Sequence, residues 1–283
     1  MKNKLVIVTG ANSGMGLATT VELARQGATV IMACRNKERG EKALAEAKSR
    51  SGSSRIELML LDLGSLRSIR AFAEAFTAKY EALDVLVNNA GVVSLKRQLT
   101  EDGFEVMLGV NHLGHFLLTR LLLDTLLRAE QGRVVNVSSG AYKIGAIHYE
   151  DPTLSKRYFV AKGYARSKLA NILFTKELAR RTKGTSLTVN CLHPGAVATN
   201  IGVDRGTGFG KTIVGMLRPF FLTAEQGAET AIYLATSPEV KNISGEYFYK
   251  KKPQALQSKA TDPQAALKFW GWSEQEVGLH TEE

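Results

Sequence analysis

Leu5-Val6-Ile7-Val8 is a short, uniformly apolar and largely β-branched run, and polar and glycine residues follow it at once. Such a run predicts a strand buried on both faces, as in a parallel sheet. Over 17–26 the apolar positions recur with helical spacing and stop at Gly27, a residue suited to closing a helix. The alternation then repeats. Strands are predicted over 29–33, 56–61, 85–87, 133–137, 188–192 and 246–249. Helices are predicted over 37–50, 65–80, 104–129, 164–181 and 223–236. Strands alternating with helices imply right-handed crossovers and a parallel sheet covered by helices on both sides. No Pro/Gly/Ser-rich linker interrupts the pattern, so a single α/β domain with about seven parallel strands is expected. Two stretches break the rhythm, 141–163 and 200–222, and long irregular segments in such domains are often functional lids. The tail from Lys250 is polar until Ala265. It then offers Phe269, Trp270 and Trp272, expected to pack back onto the body.

Composition sets limits without naming a function. Of 283 residues, 44% are hydrophobic and 23% charged, ordinary for a globular chain with a sizeable core. Lys+Arg exceed Asp+Glu by 37 to 27, a net +10. These positive residues are spread out, apart from Lys250-Lys251-Lys252. A solvated basic surface is therefore expected, not a nucleic-acid site. Cys34 and Cys191 both lie in apolar runs and read as buried thiols of a reducing compartment, with no disulfide and no zinc site. The apolar run after Lys2 and Lys4 is too short for a signal peptide. The longest apolar stretch, 116–127, is broken by Arg120 and Asp124, so no transmembrane helix is expected. A cytoplasmic location follows as the expectation.

Gly10, Gly14 and Gly16 fall where the first strand turns into the first helix, with Ser13 and Met15 between them. Glycine permits positive φ and close approach of backbone to phosphate oxygens. The helix N-terminus adds N–H donors and partial positive charge, which suits a dinucleotide pyrophosphate. The end of the second strand bears on which dinucleotide. An NAD site usually places a carboxylate there for the ribose 2′-OH. Here Ala33-Cys34-Arg35-Asn36-Lys37 carries no acid before Glu38. Arg35 could form a planar, charge-assisted pair with a 2′-phosphate, so NADPH/NADP+ fits better than NAD(H).

Tyr164 and Lys168 stand four residues apart and, on a helix, share a face. An unperturbed phenol titrates near ~10 and is a poor acid or base at neutral pH. A cation about 4 Å away favours the phenolate by roughly 4 kcal/mol at an effective dielectric of about 20. The pair is therefore expected to act as a general acid/base, with the ammonium pulling the phenol pKa down.

Taken together, Thr9-Gly10-x-x-x-Gly14-x-Gly16, Asp62-Leu63, Asn88-Asn89-Ala90-Gly91, Asn111, Ser139, Tyr164-x-x-x-Lys168 and Pro194-Gly195 resemble a classical short-chain dehydrogenase/reductase, from about Lys4 to Tyr249. Details of 164–175 and 32–36 resemble its retinol-dehydrogenase-like branch. The resemblance implies a doubly wound Rossmann fold over 1–249, with a substrate lid near 200–222 and a C-terminal tail over 250–283. It places Asp62 and Leu63 at the adenine, and Asn89, Ala90 and Gly91 along the adenosine ribose. Pro194, Gly195 and Thr199 would lie against the nicotinamide. It also implies a carbonyl/alcohol oxidoreductase. Ser139 and Tyr164 would bind the substrate oxygen, and Tyr164 would give the proton. Lys168 would hold the nicotinamide ribose, and Asn111 would anchor a water linking Lys168 to solvent. Family register favours Ser139 over its neighbour Ser138. B-face hydride transfer is implied as well.

His112 and His115 are three apart, but no third ligand is evident and the family needs no metal, so packing or polar helix roles are expected. Phe209, Ile213, Val214, Met216, Leu217, Phe220 and Phe221 suit a lid over an apolar carbonyl or alcohol, retinal-like or aromatic. Lys211 and Arg218 in the same segment make a membrane-surface contact a weaker alternative. By the resemblance, the helices from Phe104 and Tyr164 would pair between subunits, giving a homodimer or homotetramer, with monomers known among relatives. The competing reading is a catalytically silent NADP(H) sensor or scaffold on the same fold. Such proteins usually lose the tyrosine or the lysine, and both remain here.

Overall fold

The computed structural model describes residues 1–196 and 222–279. Its sheet has the order β3-β2-β1-β4-β5-β6-β7-β8. The strands are β1 (Leu5–Thr9), β2 (Thr29–Cys34), β3 (Ile56–Leu60), β4 (Val85–Asn88), β5 (Arg133–Val137), β6 (Thr188–His193), β7 (Tyr247–Tyr249) and β8 (Lys252–Pro253). The first seven are parallel, and β8 turns back antiparallel on β7. The sheet thus continues past Tyr249. Val6, Ile7 and Val8 are fully buried, with Val6 and Val8 in the core on one side of the sheet and Ile7 in the core on the other. Burial on both faces is why this strand shows no polar alternation.

The helices are α1 (Gly14–Arg25), α2 (Lys37–Ser51), α3 (Leu66–Lys79), α4 (Val106–Leu108), α5 (Gly114–Leu121), α6 (Leu123–Arg128), α7 (Val160–Arg181), α8 (Ala224–Thr236), α9 (Ser258–Thr261) and α10 (Pro263–Glu276). Local chemistry fixes several starts. Asn36 accepts from Arg39 N at the head of α2, and Ser65 accepts from Ser68 N at the head of α3. Thr223 and Gln226 form a reciprocal capping box on α8. The segment expected as one helix over 104–129 is instead divided. A single π turn, Gly109–Leu113, separates α4 from α5, and α6 starts a new helix after Leu122. Such turns are inserted where a helix must re-aim a side chain, frequently at functional sites. The helix expected from Tyr164 begins one turn earlier, at Val160.

After β3 the chain crosses back over β1 to β4, so the strand order reverses between β1 and β4. The crevice outside the carboxyl ends of these strands is where ligands bind in open α/β sheets. At the other end of the chain, α10 lies across α5 and α7. Trp270 packs edge-on to Phe116 at 5.0 Å and stacks on Phe174 at 6.0 Å, and Phe269 lies 4.7 Å from the His112 ring. Phe269 and Trp270 are each 1% exposed, and Trp272 lies 6.1 Å from the Tyr149 ring. Among the described residues, no helix is long and apolar enough to cross a membrane.

Candidate active site

The glycine turn closes β1 and opens α1. Gly10 and Gly14 have φ of +65° and +55°, which glycine adopts without steric cost. At Gly16 a Cβ would stand 2.4 Å from the Gly10 carbonyl oxygen and 2.6 Å from the Asn89 amide nitrogen, so only glycine fits. Ser13 precedes α1 in extended conformation, and its side chain makes no capping bond. The first N–H groups of α1 are thus left to other partners, the donor set a pyrophosphate requires.

Around this turn the expected cofactor residues fall on one edge of the sheet. Arg35 is exposed just past β2. Asp62, after β3, accepts from Gly64 N at 2.9 Å, and Leu63 beside it is buried. Asn89 donates its side-chain amide to the Thr9 carbonyl at 2.8 Å, clamping β4 to β1. Ala90 and Gly91 continue from it. A Cβ on Gly91 would lie 3.6 Å from Asn111 Oδ1 and 3.8 Å from Lys168 Nζ, so Gly91 sits between these two side chains. Gly195 follows β6 and Pro194 with φ +89°. Its N–H donates to His193 Nδ1 at 3.2 Å, and the His193 ring stacks on Tyr249 at 4.7 Å. Thr199 and the lid residues from Phe209 to Phe221 lie outside the described residues.

Ser138 and Ser139 separate by their partners. The buried Ser138 hydroxyl donates to the Lys168 carbonyl at 2.8 Å, a helix-to-strand tie. Ser139 is half-buried and starts the 3-10 turn Gly140–Ile144 by accepting from Ala141 N at 3.2 Å. It also faces the Tyr164 phenol. Burial pushes that phenol above its ordinary pKa, and the Ser139 contact pulls it back in part. Lys168 is 4% exposed, and burial lowers its amine to about 8. It donates to the Val137 carbonyl at 3.1 Å and lies 5.5 Å from the centre of the Tyr164 ring.

Burial of the phenol acts against the expected pull of the ammonium. A spacing of four residues places the amine over the ring. Desolvation, which the residue spacing does not reveal, is then the larger effect and acts the other way.

Asn111 sits in the π turn with its side chain fully engaged. Oδ1 accepts from Val92 N at 2.7 Å, while Nδ2 donates to Val92 O and to Ser167 Oγ, each at 3.0 Å. Ser167 in turn donates to the Tyr164 carbonyl at 2.8 Å. The two histidines are buried and hydrogen-bonded. His112 is enclosed by aromatic rings and bonds Ser273 Oγ at 3.0 Å, and His115 bonds Thr9 Oγ1 at 2.8 Å. Sequence reasoning passed over Thr9 as a side chain, and it missed the buried Glu105–Arg166 pair, 3.0 Å apart. Arg166 lies between Tyr164 and Lys168, and a charged residue there was the available signal.

A short chain dehydrogenase profile matches residues 4–208. The chain is 47% identical to human retinol dehydrogenase 14, covering 99% of this chain and 88% of that one. A crystal structure of an uncharacterized protein from Mycobacterium paratuberculosis superposes with a TM-score of 0.79 at 36% identity, covering 98% of this chain and 94% of that chain. A variant of actinorhodin polyketide ketoreductase, crystallised with NADPH, superposes with a TM-score of 0.68 at 26% identity over 88% of this chain and 97% of that chain. The chain is therefore a member of the short-chain dehydrogenases, in the branch that contains the retinol dehydrogenases. It is an oxidoreductase of that family.

Proposed function

We propose that the chain is an NADPH-dependent enzyme interconverting an apolar aldehyde or ketone, retinal-like or aromatic, with its alcohol, and that Tyr164 is the acid/base. The observation carrying this reading is the convergence of Ser139, Tyr164 and Lys168 at the carboxyl edge of β5, beside Gly91 and the glycine turn. Bound NADPH would supply the hydride. Gly10, Ser13, Gly14, Met15 and Gly16 would hold its pyrophosphate through the uncapped start of α1. Asp62, Leu63, Asn89, Ala90 and Gly91 would line the adenosine. Pro194, Gly195 and Thr199 would flank the nicotinamide. Arg35, exposed and with no acid before Glu38, would meet the 2′-phosphate. The NADPH held by the ketoreductase relative supports that choice. The names of the retinol dehydrogenase relatives and the apolar composition of 200–222 support the substrate class.

Each side chain has a definite task in this reading. Ser139 donates to the carbonyl oxygen and orients it. The phenol of Tyr164, held protonated by burial, is in the right state to donate as charge grows on that oxygen. Lys168, with a pKa near 8, is mostly an ammonium at neutral pH and can hold a ribose hydroxyl. Asn111 fixes the Gly91-Val92 turn against Lys168.

The test is a panel of aldehydes and ketones followed at the NADPH absorbance. At least one apolar member should turn over, and Tyr164→Phe should lower that rate by about 10²–10⁴-fold while NADPH binding stays intact. Turnover of no member, or near-normal turnover by Tyr164→Phe, would overturn the proposal.

A further inference from the structure

His115 is 2% exposed and reaches two parts of the site at once. Its Nδ1 faces the Asn111 main-chain carbonyl at 3.1 Å, and its Nε2 faces Thr9 Oγ1 at 2.8 Å. The proton positions follow from the partners. A carbonyl only accepts, so Nδ1 carries the hydrogen. Thr9 Oγ1 already accepts from Asn89 N and Ala90 N, each at 2.9 Å, which occupies both lone pairs. Its one hydrogen is left to donate, and His115 Nε2 at 2.8 Å is nearer than the Val87 carbonyl at 3.4 Å. Both ends agree on a neutral ring. A second ring proton would find no acceptor at Thr9. Burial, with Lys168 nearby, lowers the ring to about 4.

The chain of bonds does not stop there. Thr9 closes β1 immediately before Gly10 and holds the N–H groups that begin the Asn89-Ala90-Gly91 turn. Asn111 holds Val92 and Ser167, and Ser167 holds the Tyr164 carbonyl. We propose that His115 is a positioning residue whose neutral imidazole, protonated on Nδ1, locks the glycine-turn end of β1 to the Asn111 turn and, through Ser167, to Tyr164. The two halves of the site, one expected to bind NADPH and one to move the proton, are thereby held in register. This rests on the proposed function for its catalytic consequence but not for the bond pattern itself.

Two measurements on the full chain test it. In long-range ¹⁵N–¹H spectra, with His115→Gln used for assignment, His115 should show the Nδ1–H tautomer and no titration from pH 8 to about 5. An Nε2–H tautomer, or titration near about 6.5, would overturn the proposal. The second compares two amides. His115→Gln is long enough for Thr9 but not the near carbonyl, and His115→Asn the reverse. The first should lower kcat on the order of tenfold or more with NADPH affinity within about threefold. His115→Asn should weaken NADPH binding about tenfold with a smaller loss in kcat. Parallel losses in both variants, tracking a fall in Tm, would reduce His115 to core packing and refute the claim. If the wild type turns over no carbonyl, the proposed reaction fails, and the tautomer and the NADPH titration still decide the role of His115.

Discussion

Arg166 and Glu105 form a buried ion pair, with Nη2 and Oε2 3.0 Å apart and side chains 1% and 0% exposed. The pair is a junction. Glu105 also accepts from Met107 N and Leu108 N at the head of α4, and Arg166 donates to the Pro152 carbonyl at 2.7 Å. One contact therefore fixes the Tyr164–Lys168 turn of α7 against α4 and against the irregular stretch after β5. Removing one partner leaves an uncompensated charge in the interior, so Glu105→Ala should cost about 3–5 kcal/mol of stability. Replacing both, as in Glu105→Leu with Arg166→Met, should restore much of that loss. Urea denaturation of the double-mutant cycle measures this, and additive losses would refute it.

What the sequence disclosed and what it hid divide along range. The β1 run, the glycine turn, and the Tyr164 and Lys168 spacing are local patterns, and the parallel sheet follows from their alternation. Thr9 and His115 are 106 residues apart and Arg166 and Glu105 are 61 apart, so nothing in a window of sequence pairs them. The burial of Tyr164, which raises its phenol pKa, was hidden for a related reason. The phenol's distance from Lys168 can be guessed from helix geometry, but its burial is set by strands and loops far along the chain.

Arg35 supplies the second prediction. It is exposed at the end of β2, where an NAD-using site would place a carboxylate. Arg35→Asp should remove the charge facing a 2′-phosphate and offer an acceptor to a 2′-hydroxyl. The ratio of kcat/KM for NADPH over NADH should fall by about 10²-fold. An unchanged ratio would assign the phosphate to another cation, such as Lys37 or Arg39 on the first turn of α2.

Acid should destabilise the fold through its buried histidines. Burial lowers His112 to about 3 and His115 to about 4, from an ordinary 6.5. Between about pH 4 and 6.5 the unfolded chain binds protons that the folded chain refuses, so stability rises with pH across that window. Two such groups give roughly 2 kcal/mol per pH unit between about pH 6 and 4.5. Lys168 acts in the same direction at the other end. Its folded value near 8 lies below the ordinary 10.5, so it adds stability as pH climbs from 8 to 10.5. Urea midpoints across pH should show both slopes. Replacing His115 with Gln should remove about half of the acid slope, and Lys168→Met the alkaline one. Slopes unchanged in these variants would place the titration elsewhere.

The last prediction concerns self-association. Pairing of two chains through the helices after β4 and β5, as the family resemblance implies, requires their outer faces to be free. In this fold α10 covers them. His112 bonds Ser273, Phe116 and Phe174 enclose Trp270, and Arg120 pairs with Glu274 at 3.2 Å. The Trp270 ring also lies 4.5 Å from the Arg181 guanidinium and 5.1 Å from that of Arg120. A partner helix would have to displace this whole set. Sedimentation should therefore find a monomer. Trp270→Asp, which costs about 3–5 kcal/mol in lost packing, should loosen α10, uncover Phe116 and Phe174, and promote self-association in proportion to concentration. A wild-type dimer that falls apart when Phe116 or Phe174 is made polar would show that α10 yields to a second chain, and would reverse this conclusion.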